Sequence, residues 1–269
     1  MGSGEDMFEN KDTVFTKGSI LTKEMLDLLY AWPRQTLQLY CRSLSEGGIC
    51  GLEYEVTDDD ILIHPGILWK QRSLWFLQQD LSLTSLCKGT CQEGQCYSLQ
   101  LLPETTAVQG GVTTRLLDVT LKASSDGKAD LGSFYYHQGR LPHIPATWEE
   151  VIKSLNNAFY FNLSHLSWAA PEEATFHPLI FACLAQALEK KACRNALETA
   201  MLVQFYERGT LTMKTLRLYT GDSYGVSRDE LLKHIDEALQ KVDFLPPSPK
   251  ATPREVKKVK PISGRRGMI

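Results

Sequence analysis

The stretch from Ser45 to Trp69, SEGGICGLEYEVTDDDILIHPGILW, restricts the fold more than any other. Leu52, Tyr54 and Val56 alternate with Gly51, Glu53 and Glu55, a period of two that suits a half-buried strand. Asp58-Asp59-Asp60 follows, and short polar side chains that bond their own backbone make a turn. Ile61 and Ile63 read as a second strand, stopped by Pro65-Gly66. Upstream lies a helix that Thr22 caps and Gly47-Gly48 ends. Met25, Leu26, Leu28, Leu29 and Trp32 follow helical spacing, Pro33 interrupts it, and Leu37, Leu39, Tyr40 and Leu44 resume it. One kinked helix or two short ones both satisfy this pattern.

Beyond the hairpin, short alternating runs continue. Leu74 to Leu83, Tyr97 to Leu102, Arg115 to Ala123 and Leu131 to His137 read as strands, with Val14 to Leu21 as an extended lead-in and Asp126-Gly127 as a turn. About six or seven strands and one early helix over residues 13–140 predict an antiparallel β-sandwich or partial barrel. A proline-bounded linker, 141–146, leads to a helical bundle over 147–243. Thr147 with Glu150, and Ser227 with Glu230, are capping boxes. Pro171-Glu172-Glu173 opens a long helix whose face carries Phe176, Ile180 and Leu184; Ala196 to Tyr206 is the next, ended by Arg208-Gly209. Leu216 to Tyr219 reads as a short strand. Residues 1–12 and 244–269 are polar or proline-rich and read as disordered. The expected class is α+β.

Charge narrows the function. The chain carries 29 Lys/Arg and 32 Asp/Glu, a formal net of -3. Seven of the basic residues and one acidic residue lie from Lys250 onward, which leaves 22 basic and 31 acidic side chains before it. An acidic body with a basic tail is not a polyanion binder by bulk charge; only the tail suits nucleic acid. No apolar run approaches the roughly 20 residues that span a bilayer. The acidic start lacks a signal-peptide pattern, so a reducing cytoplasmic setting is expected for the seven cysteines.

Motifs for chemistry are sparse. The phosphate-loop and dinucleotide glycine patterns are absent, and no cofactor or small-molecule substrate is expected. Cys87, Cys91 and Cys96 place three thiols within ten residues and suit zinc if a fourth ligand, for example His64, came from elsewhere. A cysteine-bearing hairpin loop turned by Gly89 and Gly94 explains the same spacing. Gly221-Asp222-Ser223-Tyr224-Gly225 matches a nucleophile elbow by pattern. His234 and Asp236 sit two positions apart in one helix, and no alternating strands and helices surround them, so a turn before a capped helix is the stronger reading.

Three segments carry a family resemblance. Gly18-Ser19-Ile20-Leu21-Thr22, Gly48-Ile49-Cys50-Gly51-Leu52-Glu53-Tyr54-Glu55-Val56 and Ile61-Leu62-Ile63-His64-Pro65-Gly66 resemble the opening of phage baseplate and fibre-attachment proteins. The order of parts is similar to the N-terminal β-domain and helical bundle of the type VI secretion baseplate adaptor TssK, without its receptor-like third domain. The match covers residues 13–70 by motif and 13–242 by order of elements. It implies a non-catalytic, oligomeric adaptor whose partners are other copies and baseplate-like proteins. Interface candidates on that reading are Leu52, Tyr54, Ile63, Trp69, Phe176, Ile180, Leu184 and Phe205.

Overall fold

The computed structural model describes residues 20, 22–102, 105–109, 112–123 and 129–241. The expectations for residues 1–12, for the strand at 14–21 apart from the exposed Ile20, for Asp126-Gly127 and for the tail at 244–269 lie outside these.

Helix α1 (Lys23–Cys41) starts where Thr22 accepts from the Met25 N–H, which satisfies one of the four donors a helix start leaves free. It runs unbroken through Pro33. Proline costs one N–H and crowds the carbonyl four residues back; that residue, Leu29, is exposed, so water can satisfy its oxygen. The helix stops at Cys41, before Gly47-Gly48, which do not end it but begin a strand.

That strand is β1 (Gly47–Gly51), followed by β2 (Tyr54–Val56), β3 (Ile61–Ile63), β4 (Gly66–Lys70) and β5 (Ser73–Leu77). The expected strand through Gly51–Val56 is therefore split, and Leu52 sits at the break with φ of 56°. β2 and β3 form the expected hairpin, with Tyr54 opposite Ile63 and Val56 opposite Ile61. Thr57 and Asp60 close its turn through backbone and hydroxyl bonds. Gly66 opens β4 and so does more than stop β3.

The run from Leu74 to Leu83 is also divided, into β5, β6 (Leu81–Ser82) and the start of α2 (Leu83–Cys87). Ser82 caps α2, and the Asp60 carboxylate accepts from the Thr84 N–H at 2.9 Å. β7 (Cys96–Leu101), β8 (Thr105–Gln109), β9 (Val112–Leu116), β10 (Val119–Ala123) and β11 (Ser133–Tyr135) follow. The described strands pair antiparallel as β1-β4-β5, β2-β3-β6, β10-β7-β11 and β8-β9. The front half is therefore β-rich, but as several small sheets. These ladders define neither a continuous sandwich nor a closed barrel.

The back half is helical: α3 (Trp148–Ser154), α4 (Pro178–Lys190), α5 (Ala196–Arg208), α6 (Met213–Thr220) and α7 (Arg228–Gln240). At α3, Thr147 accepts from the Glu150 N–H, but Glu150 reaches the Ala146 N–H at 2.9 Å in place of the reciprocal box bond. The Ser227–Glu230 box is complete, and Gly209 ends α5 in the left-handed conformation. Two expectations change. The long helix starts at Pro178, not Pro171, because residues 168–175 fold back on themselves: Trp168 and Thr175 exchange backbone bonds across a bend at Glu172-Glu173, where Glu172 has φ of 68°, and Thr175 Oγ1 donates to the Leu211 carbonyl at 2.5 Å. Leu216 to Tyr219 belongs to α6 and is helix, capped by Thr212.

One apolar core joins front and back. Ile61, Leu99, Phe134 and Phe161 belong to the same buried cluster as Phe176, Leu184, Met201 and Leu231. The segment at 141–146 is packed too, with Ile144 buried. A buried polar knot sits among the helices. Glu198 accepts from Lys191 Nζ at 2.5 Å, from the Tyr219 hydroxyl at 2.8 Å and from the Asn195 N–H at 2.9 Å, so both oxygens of this enclosed carboxylate have partners.

Candidate functional site

The conspicuous open surface is α1. Of its nineteen residues only Cys41 is buried. On a helical wheel its apolar side chains, Met25 through Tyr40, fill an arc of about 200° and the charged and amide side chains fill the rest. Leu26, Leu29, Trp32 and Leu37 are exposed, as are Tyr30 at 70%, Leu39 at 66% and Tyr40 at 72%. An ordinary surface helix turns such an arc inward; here, among the described residues, most of it stays open, with Met25 and Leu28 half-buried.

The foot of α1 is firmly placed. Leu44 bridges to Pro171, the Ser45 N–H donates to the Ala170 carbonyl at 2.9 Å, and Gly48 exchanges backbone bonds with Ser167 and Ala169. The glycines of the motif make this crossing possible. A Cβ at Gly48 would lie 2.6 Å from the Trp168 ring, and one at Gly66 2.5 Å from the Leu52 nitrogen. At Gly51, φ is 67° and a Cβ would overlap the Pro65 carbonyl oxygen. The spacing that carries the resemblance is thus a packing rule: two backbones pass closer than side chains permit.

The interface candidates named from sequence lie mostly inside the chain. Leu52 and Ile63 pack with Trp168 in one small cluster, Trp69 is buried, and Phe176, Ile180 and Leu184 sit in the main core. Tyr54 packs on Phe161 and donates its hydroxyl to the Leu131 carbonyl at 2.5 Å. Phe205 is half-buried against the core. Apolar periodicity located burial correctly, but the residues it marked are covered by this chain.

The cysteines separate into a pair and a single. Cys87 and Cys91 meet at the end of α2, within hydrogen-bond reach of each other. A cavity of about 720 Å³ opens beside them, between the Val56–Asp59 turn and the segment from Phe134 to Pro142. Cys96 faces a different cavity with Ser133 and Tyr160. Burial pushes the Cys87 thiol up to about 12 and raises Cys91 and Cys96. His64 is engaged elsewhere, its ring nitrogens 2.8 Å from Asp80 and 3.0 Å from Glu55. Among the described residues no group of three or more His, Cys, Asp or Glu is placed to hold a metal.

Ser223 lies in the turn between α6 and α7, exposed, with helix on both sides. A nucleophile elbow needs a strand entering it. The nearby imidazole, His234, is 2.9 Å from Asp222, whose hydrogen bond raises its pKa.

His177 is the one histidine built into the core. Its Nδ1 accepts from the Leu179 N–H at 3.2 Å and caps α4, so the other ring nitrogen carries the proton. Tyr54 and Trp168 meet the ring edge-on. Burial lowers its pKa to about 4 from the ordinary 6.5. Between those values the unfolded chain binds the extra proton and the folded one does not, so stability falls as pH drops through that window. The expected loss is about 3 kcal/mol from this group. Urea midpoints at pH 7, 5.5 and 4.5 test this against His177→Asn, which keeps a capping oxygen but cannot titrate. The variant's midpoint is expected to depend less on pH over this range; equal slopes would exclude the assignment.

Fold and surface together define an α+β scaffold that presents an apolar helix. No protein-family model and no curated protein sequence matches the chain. Among solved structures it is similar to the crystal structure of TssK at 9% identity, with a TM-score of 0.35 over 85% of this chain and 69% of that one. No described helix is long and apolar enough to cross a membrane.

Proposed function

We propose that the chain is a non-catalytic structural adaptor of a phage-tail-like or contractile-injection baseplate, acting by protein–protein assembly in the cytoplasm. The observation that carries the reading is the open apolar face of α1: so much contiguous apolar surface marks a protein that is completed by others. The motif resemblance over residues 13–70 supplies the kind of assembly. On this reading, residues 13–140 dock to baseplate-like neighbours and the helices of 147–243 brace them.

The test uses cells that produce intact tail-like particles. Tagged chain is followed through a density gradient of their lysate. Co-sedimentation with the particle band is expected. Chain recovered only at the top of the gradient, beside intact particles, would sink the proposal.

A further inference from the structure

We infer that α1 is a self-association helix, packing its apolar face against the same face of further copies of this chain. The inference rests on the assembly reading above and names the partner of one surface.

Three observations select a second copy. The first is area. The exposed apolar side chains of α1 offer on the order of 800 Å², the size of one side of a standard interface and above the largest patch of a typical monomer. The second is breadth. An arc of about 200° is roughly twice the stripe a helix buries on a single flat surface; neighbours related by symmetry cover such an arc from more than one side. The third is charge. The polar arc carries Lys23 and Arg34 against Glu24 and Asp27, a net of zero. Like helices therefore meet without repulsion, and the basic face that holds a helix on an anionic lipid surface is missing.

Local chemistry supports close packing. Arg34 donates to the Tyr30 hydroxyl at 2.8 Å one turn away, and Thr36 donates to the Trp32 carbonyl at 2.9 Å. These polar groups keep their partners when the face is covered. The anchored foot, with Cys41 buried, holds α1 in place to meet another copy.

Sedimentation velocity on the full chain at 1–50 μM tests this, comparing wild type with Leu29→Glu/Leu39→Glu and with the control Leu218→Glu. Leu218 is equally open but lies on α6. Wild type and control are expected to sediment as multiples of 30.3 kDa, and the double variant as a single chain, with association weakened about 100-fold or more. Both changed positions are exposed, so thermal unfolding is expected to stay cooperative. If the double variant nonetheless misfolds, Tyr30→Ser/Tyr40→Ser replaces it. A wild type that stays at 30.3 kDa throughout overturns the inference. So does an α1 variant that keeps the wild-type mass, or wild type that binds phosphatidylglycerol vesicles through α1 and not itself. Each of these leaves the particle gradient to judge the adaptor reading separately.

Discussion

Replacing Arg228 with alanine is expected to destabilise the fold by about 3 kcal/mol or more. The residue is partly exposed, yet its guanidinium is enclosed by carbonyls. Nε donates to Ser164 at 2.6 Å, Nη1 to Ala174 at 3.2 Å, and Nη2 to Thr175 at 2.7 Å and Leu166 at 3.3 Å. The plane also lies 4.4 Å from the centre of the Phe176 ring. Burial lowers the group's pKa to about 10, which leaves it charged at neutral pH. One planar fork thus ties together the two ends of the loop between Ser164 and Thr175, which Trp168 and Thr175 close by their backbone bonds. Alanine strands the carbonyls, and lysine, a point charge without the fork, restores less than half of the loss. Urea midpoints provide the measurement. Arg208→Ala, at the exposed end of α5, should stay within about 0.5 kcal/mol of wild type. Equal effects at the two arginines would discard this account.

Gly51→Ala is expected to cost about 4 kcal/mol or more and to leave most of the protein insoluble. Two penalties coincide there: a left-handed backbone, and a Cβ driven into the Pro65 carbonyl. Gly89 separates them. Its φ is 75°, but nothing lies within 4 Å of an added Cβ, so Gly89→Ala should cost only about 1 kcal/mol. The contrast is read from soluble yield and unfolding midpoint. If Gly51→Ala is no worse than Gly89→Ala, the close crossing is not what the motif encodes.

Sequence made the locally written parts legible. The β2–β3 turn, the Ser227–Glu230 box and the Gly209 stop depend on side chains bonding to a backbone a few residues away. It failed where distant residues decide. Pro171-Glu172-Glu173 has the composition of a helix start, but it lies at the bend of a loop that Trp168 and Thr175 close and that Arg228 and the Leu211 carbonyl hold at Thr175. α6 is short, and its apolar residues fit either period. For the surface, spacing identified both α1 and α4 as amphipathic. It carries no information about which stripe finds a partner within the chain: Ile180 and Leu184 do, Leu29 and Leu39 do not. The α1 signal was present as an apolar arc unusually wide for a helix with one neighbour.

The fixed foot of α1 has a mechanical consequence. A helix of nineteen residues is a rod about 28 Å long, so a tilt of ten degrees at Cys41 sweeps the Lys23 end through about 5 Å. The glycine crossing at its base is therefore a fulcrum. Small adjustments among Gly48, Ser167 and Ala170 are magnified at the far tip, and a load applied there is delivered directly to the segment that Arg228 clamps.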